Sequence, residues 1–366
     1  MRHVLLLLQA VIVVGGLGCE LSPESANGSA EPASTAASVT PVVLHEAFLT
    51  PRDTLDNVDS PAVWHGPDGE HWLLATAKYT DVLIAYDAST GEPQVRLGGS
   101  GSALGQMERP NGVMVLNDMA WVVERDNRRV QVFALPAFTS VGSFGADELL
   151  NPYGLTVFET TPGSYHVYVT DNYEQPDEST PPDSELGRRV RKYEVAITDA
   201  ALSETLANTF GETAGAGVLR VVESIYADAP NDRLLIAEEN EGESAVKVYG
   251  LDGAFTGDVI PSTFFPSQAE GLALYACGTD AGYWLTTDQS ETANAFHVFD
   301  RMTLDHLGSF TGQVIRNTDG IALTQTPLPG FPTGAFYAVH DDGSVGAFGW
   351  TAIAEALNLR QDCVMP

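Results

Sequence analysis

Three observations predict that this chain is all-β, a six-bladed β-propeller. A small residue ahead of an apolar run recurs six times, at Ser60, Gly112, Gly154, Ser224, Gly271 and Gly320. Each occurrence is followed by two further short runs of alternating, β-branched or aromatic character, separated by turn residues, which read as consecutive antiparallel strands. The residues just before the small ones, Asp59, Asn111, Tyr153, Glu223, Glu270 and Asp319, are spaced by 52, 42, 70, 47 and 49 residues. That is the period of blades of three or four strands.

The elements follow in chain order. Residues 1–18 carry Arg2, an apolar run from Val4 to Val14 and a Gly-rich end, which predicts a signal peptide. Gly18 before Cys19 is similar to the lipobox of bacterial lipoproteins, so Cys19 is the expected lipidation site, with plain secretion as the alternative. Residues 19–41, rich in Ser, Ala, Pro and Glu, read as a disordered tether. Residues 42–366 are assigned to the propeller domain. Second strands are predicted over 72–76, 119–123, 166–170, 234–237, 283–287 and 335–340, and third strands over 82–86, 130–133, 190–195, 245–249, 295–299 and 344–348. The long gap holds an acidic, Pro-rich insertion at 172–187, read as a loop. The sixth repeat runs short of a fourth strand, and residues 42–48 are expected to supply it and close the ring. The one helical pattern is short, 352–357. Cys277 and Cys363 are two thiols able to pair in an exported protein, a pairing that the sequence leaves open.

The chain carries 18 Lys and Arg against 49 Asp and Glu, a net charge of −31. Such a surface repels nucleic acid and anionic lipid headgroups. A membrane is expected to be met only through a lipid anchor, and the protein to be a monomer. No nucleotide-binding glycine motif, serine nucleophile elbow or Cys/His zinc spacing is present.

In a propeller the strand ends nearest the axis surround one channel, so the repeat positions converge. Asp59, Glu223, Glu270 and Asp319 stand at the repeat anchors, with Glu239 at the end of a second strand. Five carboxylates on one mouth repel one another unless cations hold them, and an oxygen-only donor set suits Ca²⁺. Read singly, each is a solvated strand cap. Cations are scarce and therefore informative: Lys78 ends the second strand of the first repeat, and Arg125, Arg128 and Arg129 occupy the corresponding place in the second. A cationic group beside a calcium cluster is what phosphate oxygens need, whereas charge balance on a loop is the simpler reading. Arg188, Arg189, Arg191 and Lys192 lie along a strand and are expected to alternate faces.

These phrases together resemble the β-propeller phytases over roughly residues 43–360. Asp59-Ser60-Pro61-Ala62-Val63-Trp64, Thr76-Ala77-Lys78, Tyr153-Gly154, Ile236-Ala237-Glu238-Glu239-Asn240, Glu270-Gly271-Leu272, Thr318-Asp319-Gly320-Ile321 and Phe331-Pro332-Thr333-Gly334 are similar to family phrases. The resemblance implies calcium-dependent hydrolysis of a phosphorylated small molecule, phytate or a related monoester. It implies Ca²⁺ on Asp59, Glu223, Glu239, Glu270 and Asp319, with catalytic roles for Lys78, Arg125 or Arg128, and Tyr153. The chain departs from the family pattern at Ser60 and Ser224, at Pro110-Asn111-Gly112-Val113, which lacks the family's acid, at Asn172 in place of a lysine, and at Arg316-Asn317 in a shortened loop. Two alternatives remain open. Asp126-Asn127-Arg128-Arg129-Val130-Gln131-Val132-Phe133 resembles an NHL-repeat strand, whose arginine is structural and whose propeller is a binding platform. A gluconolactonase-type propeller would use one Ca²⁺ on Glu, Asn and Asp ligands to open a lactone.

Overall fold

The computed structural model describes residues 40–198 and 201–363. The expected signal peptide, Cys19 and all but the last two residues of the expected tether lie outside the described residues. Six sheets stand around one axis, each built on three or four consecutive antiparallel strands, with N-terminal strands added to the fifth and sixth. The innermost strands are Val58–His65, Pro110–Leu116, Pro152–Thr161, Val222–Asp228, Gln268–Cys277 and Ile321–Thr324. Each packs beside the next, and the sixth returns to the first, so the ring is closed.

The alternation seen in the sequence becomes packing between blades. Six clusters of buried apolar side chains fill the six spaces between neighbouring blades. Trp64, Trp121, Trp284 and Trp350 are fully buried in them. A buried Trp removes on the order of 200 Å² from water, worth roughly 5 kcal/mol before entropy is subtracted. Blade-to-blade packing therefore orients the inner strands rigidly, and the channel they line inherits that rigidity.

Ring closure differs from the single strand expected over 42–48. Phe48–Leu49 does become the fourth strand of the sixth blade, antiparallel to Ser344–Gly349. Val42–Leu44 instead joins the fifth blade, parallel to His306–Gly312, as its fifth strand. Glu46 divides the two: its Oε1 accepts the backbone N–H groups of Val314 (2.8 Å) and Ile315 (2.9 Å), holding the chain between blades. After the sixth blade comes the helix Trp350–Leu357, and the chain then returns to the fifth blade through a Cys277–Cys363 disulfide.

The insertion at 172–187 is a loop with one short turn of 3₁₀ helix, Asp183–Glu185. Arg189, fully buried, ties it down by donating to the carbonyls of Asp171 (3.2 Å), Tyr173 (2.7 Å) and Leu219 (3.3 Å). Arg191 is buried as well and pairs with Asp171 at 2.9 Å. Arg189 and Arg191 of the basic run are thus structural, whereas Arg188 is exposed.

Candidate metal centre at the channel mouth

Five of the six inner strands carry a bulge at the same register. The pairing skips between Val58 and Pro61, Pro110 and Val113, Pro152 and Leu155, Val222 and Ile225, and Ala269 and Leu272. Each skip holds one repeat anchor and the small residue after it. In the sixth blade, Asp319 and Gly320 stand just before the strand begins. A bulge re-aims a side chain out of the alternating pattern, which is how six anchors reach a common mouth.

The small residue has a steric reason. A Cβ on Gly112 would lie 2.7 Å from the Tyr153 carbonyl oxygen, and one on Gly320 would lie 2.5 Å from that of Asp59. Gly271 and Gly320 donate their backbone N–H groups to the carbonyls of Asp319 and Asp59, both at 3.0 Å. Inner strands thus touch beside Gly112 and Gly320, and a side chain at either would push them apart.

A second tier comes from the residue just after each second strand: Lys78, Arg125, Asn172, Glu239 and Asp341, with Gln289 at the equivalent place in the fifth blade. The two tiers meet in side-chain contacts. Lys78 Nζ lies 2.7 Å from Asp59 Oδ1 and 3.3 Å from the Tyr153 hydroxyl, which itself donates to Asp59 Oδ1 at 3.1 Å. Gln289 Nε2 donates to Asp319 Oδ1 at 2.6 Å. Carboxylate oxygens of Glu223, Glu239 and Glu270 lie within 4.8 Å of one another. At an effective dielectric near 20 each such pair of charges costs roughly 3–4 kcal/mol.

The protonation states follow from that crowding. Burial, then the nearby Asp59, pushes the Glu223 carboxyl up to about 8 against the opposing pull of Lys78. Burial and neighbouring acids hold Glu239, Glu270 and Asp319 well above the usual carboxylate range. Burial alone would lower the Lys78 ammonium, but Asp59, Asp319 and Glu223 outweigh it and hold it above the ordinary lysine value. Two buried oxygens, Glu239 Oε1 and Asp319 Oδ2, have no hydrogen-bond partner among the described residues. A cluster of hard oxygen donors with unpaired buried lone pairs fits a metal cation.

The fold gathers most of the sequence-derived candidates. Asp59, Lys78, Tyr153, Glu223, Glu239, Glu270 and Asp319 all belong to the two tiers. Arg125 joins the second tier and donates from Nε to Asn151 Oδ1 at 2.6 Å. Arg128 stands on the exposed turn two residues before Val130, with φ of 52°, and makes no side-chain hydrogen bond among the described residues. Arg129 is structural: it pairs with Glu124 at 2.8 Å and donates to the carbonyls of Ser102, Ala103 and Gln106. Lys78 balances Asp59, whereas Asp81 accepts the Arg109 N–H at 2.8 Å. Ser60, where the resembling family carries a second acid, donates to Asp59 Oδ2 at 2.9 Å. Asn172 Oδ1 accepts the Val222 N–H at 3.4 Å.

Sequence reasoning passed over Asn111 and Gln289. Asn111 is an anchor whose only signal was its place in the repeat. Gln289 could have been found by counting from Glu239 to the same register one blade on.

No family model and no curated protein matches the chain. Solved structures similar to it include a gluconolactonase from Xanthomonas campestris, at 14% identity and a TM-score of 0.51, covering 85% of this chain and 98% of that one. They also include a catalytically inactive virginiamycin B lyase from Staphylococcus aureus (12% identity, TM-score 0.46, 82% and 98% covered) and Kuenenia stuttgartiensis hydrazine synthase (11% identity, TM-score 0.47, 86% and 85% covered). The likeness to the gluconolactonase shows the propeller fold alone.

Proposed function

We propose that this propeller is a calcium-dependent hydrolase of phosphate monoesters. The observation that carries the reading is the buried Lys78 ammonium, held 2.7 Å from Asp59 beside a ring of crowded carboxylates. A lone acidic cluster serves to bind a cation. A buried ammonium in the same mouth adds what an anionic substrate needs once the acids are neutralised. Glu223, Glu239 and Glu270 would hold the cation, with Asp59 and Asp319 beside them. Bound there, Ca²⁺ would supply Lewis-acid polarisation and a lowered pKa for an attacking water.

The chain's own residues have separable tasks. Lys78 and the Tyr153 hydroxyl, 3.3 Å apart, would hold phosphoryl oxygens and stabilise the charge that develops on transfer. Arg125 stands in the same tier to take a further oxygen. Gln289 keeps Asp319 oriented. In the overall reaction the water oxygen bonds to phosphorus, the phosphorus–oxygen ester bond breaks, and the departing alkoxide takes a proton.

Phosphate release from phytate and from a simple monoester, with calcium and with a chelator, tests the reading; release unaffected by chelation, or none at all, overturns it. A second reading, a calcium-dependent lactonase, is supported by the full-length likeness to a gluconolactonase and by the three-glutamate cluster, which suffices for one cation. Ring opening of a sugar lactone, assayed in the same buffers, separates the two.

A further inference from the structure

We infer that Asn111 is a substrate-binding residue whose carboxamide donates to an oxygen of the bound phosphoryl group. The inference rests on the phosphate reading of the mouth. Asn111 is completely buried, and neither its Oδ1 nor its Nδ2 has a hydrogen-bond partner among the described residues. Nine in ten or more of buried polar groups are partnered, because one left unmade forfeits its hydration with nothing in return. A fully buried amide with both ends free is therefore waiting for a group that the described residues do not supply.

Its position says which group. The skip in pairing between Pro110 and Val113 matches the skip between Val58 and Pro61, so Asn111 occupies in the second blade the place of Asp59 in the first. Around the ring it lies between Asp59 and Tyr153, whose side chains meet at 3.1 Å and both contact Lys78. The next residue, Gly112, is pressed against the Tyr153 carbonyl. In the second tier the same blade carries Arg125. The neighbouring positions thus bring an ammonium, a phenol and a guanidinium, which are donors to an anion, together with the Asp59 carboxylate that the first two contact. The three-glutamate cluster lies on the fourth and fifth blades. A neutral amide also adds no further negative charge to a ring already crowded with it.

The test compares the wild type with Asn111→Leu and Asn111→Asp in the full chain. Melting temperature is read in chelator, in calcium alone, and in calcium with inorganic phosphate below the concentration at which the two precipitate. In the wild type, phosphate adds to the calcium shift. Asn111→Leu keeps the calcium shift and melts no lower in chelator, since an unsatisfied amide has been replaced by an apolar group. It binds phosphate about tenfold or more weakly, the scale of a lost hydrogen bond to a charged group. Asn111→Asp keeps the calcium shift and binds phosphate more weakly still, through like charge.

Loss of the calcium shift in Asn111→Leu with its return in Asn111→Asp would make this residue a metal ligand and overturn the inference. So would phosphate shifts that are equal in all three proteins, or absent from the wild type. A wild type that binds phosphate but hydrolyses no ester would remove the hydrolase reading and leave this one standing. Hydrolysis with unchanged kinetics in Asn111→Leu would do the reverse.

Discussion

Glu238 and Glu239 are adjacent, acidic and buried, yet they do opposite things. Glu238 accepts the backbone N–H groups of Arg220 (2.6 Å), Val221 (3.0 Å) and Asn240 (3.0 Å), and pairs with Lys247 at 3.3 Å. Glu239, turned toward the channel, is left with an unpartnered Oε1 beside two other glutamates. The first pattern repeats around the ring. At the same register Glu124 meets Arg129, Gln131 and the Glu108 N–H, and Asp171 meets Arg191 and the N–H groups of Leu150 and Asn151. These acids fasten the loops that lead into the second, third and fourth inner strands. One residue further on, the side chain enters the mouth. Burial alone does not separate a structural acid from a functional one; satisfied lone pairs do.

The largest effect that would sharpen this contrast is on stability. Glu238→Gln breaks a buried ion pair and strands Lys247, so unfolding free energy should fall by about 3–5 kcal/mol, equally in calcium and in chelator. A denaturant titration showing a loss that calcium repairs would erase the distinction between the two glutamates.

Next in size is Lys78→Ala, for which phosphate release should fall by about 10²-fold or more, the scale of one preorganised donor. Lys78 is not a surface lysine; its side chain is 9% exposed and paired with a buried Asp59. Its removal should therefore also lower stability in chelator, and steady-state kinetics must be taken on folded protein. Full turnover at saturating calcium would dissolve the phosphate pocket.

Calcium itself should raise the melting temperature, because it binds the folded state; at a hundred times its Kd the gain is about 2.7 kcal/mol. Glu239→Gln should remove most of that gain, while Glu238→Gln should not. The sign with pH follows from Glu223, raised to about 8 in the folded protein. A raised carboxyl binds its proton in the folded state above the pH at which the unfolded chain has released it. Metal-free stability should therefore decline as pH rises from about 4.5 to about 8. Calcium needs the ionised carboxylates, so its stabilisation should grow over the same window. Scanning calorimetry at pH 5.5 and pH 8 with matched calcium reads this directly, and a calcium gain that shrinks toward pH 8 would count against the cluster as ligand.

The smallest effect compares two arginines of one turn. Arg128→Ala should change phosphate release less than twofold, whereas Arg125→Ala should lower it about tenfold, one charge-assisted hydrogen bond's worth. Equal effects would mean that the exposed turn folds over the substrate.

Much of this was legible in the chain. The blade count, the second and third strands, the insertion and the anchors Asp59, Tyr153, Glu223, Glu270 and Asp319 follow from a repeat that any propeller must have, because each blade buries its faces against the next. The glycine after an anchor was legible as a pattern, though its cause, the neighbouring carbonyl, was not. Glu238 and Glu239 read alike, as did Arg125, Arg128 and Arg129, since a run of polar residues at a strand end does not say which is turned inward.

The sequence alone thus determined the number of blades, their order and most of the residues brought to one mouth, because periodic apolar spacing is a local property written into each repeat. Tertiary structure decided what those residues do there. Glu238 is still paired across the sheet with Val222 while Glu239 lies just past the strand, and the turn at Glu46 sent the first strand to the fifth blade rather than the sixth. Only the closed ring left Asn111 with no partner among the described residues. Whether a buried group is satisfied depends on atoms contributed from elsewhere in the chain, and no local pattern carries that information.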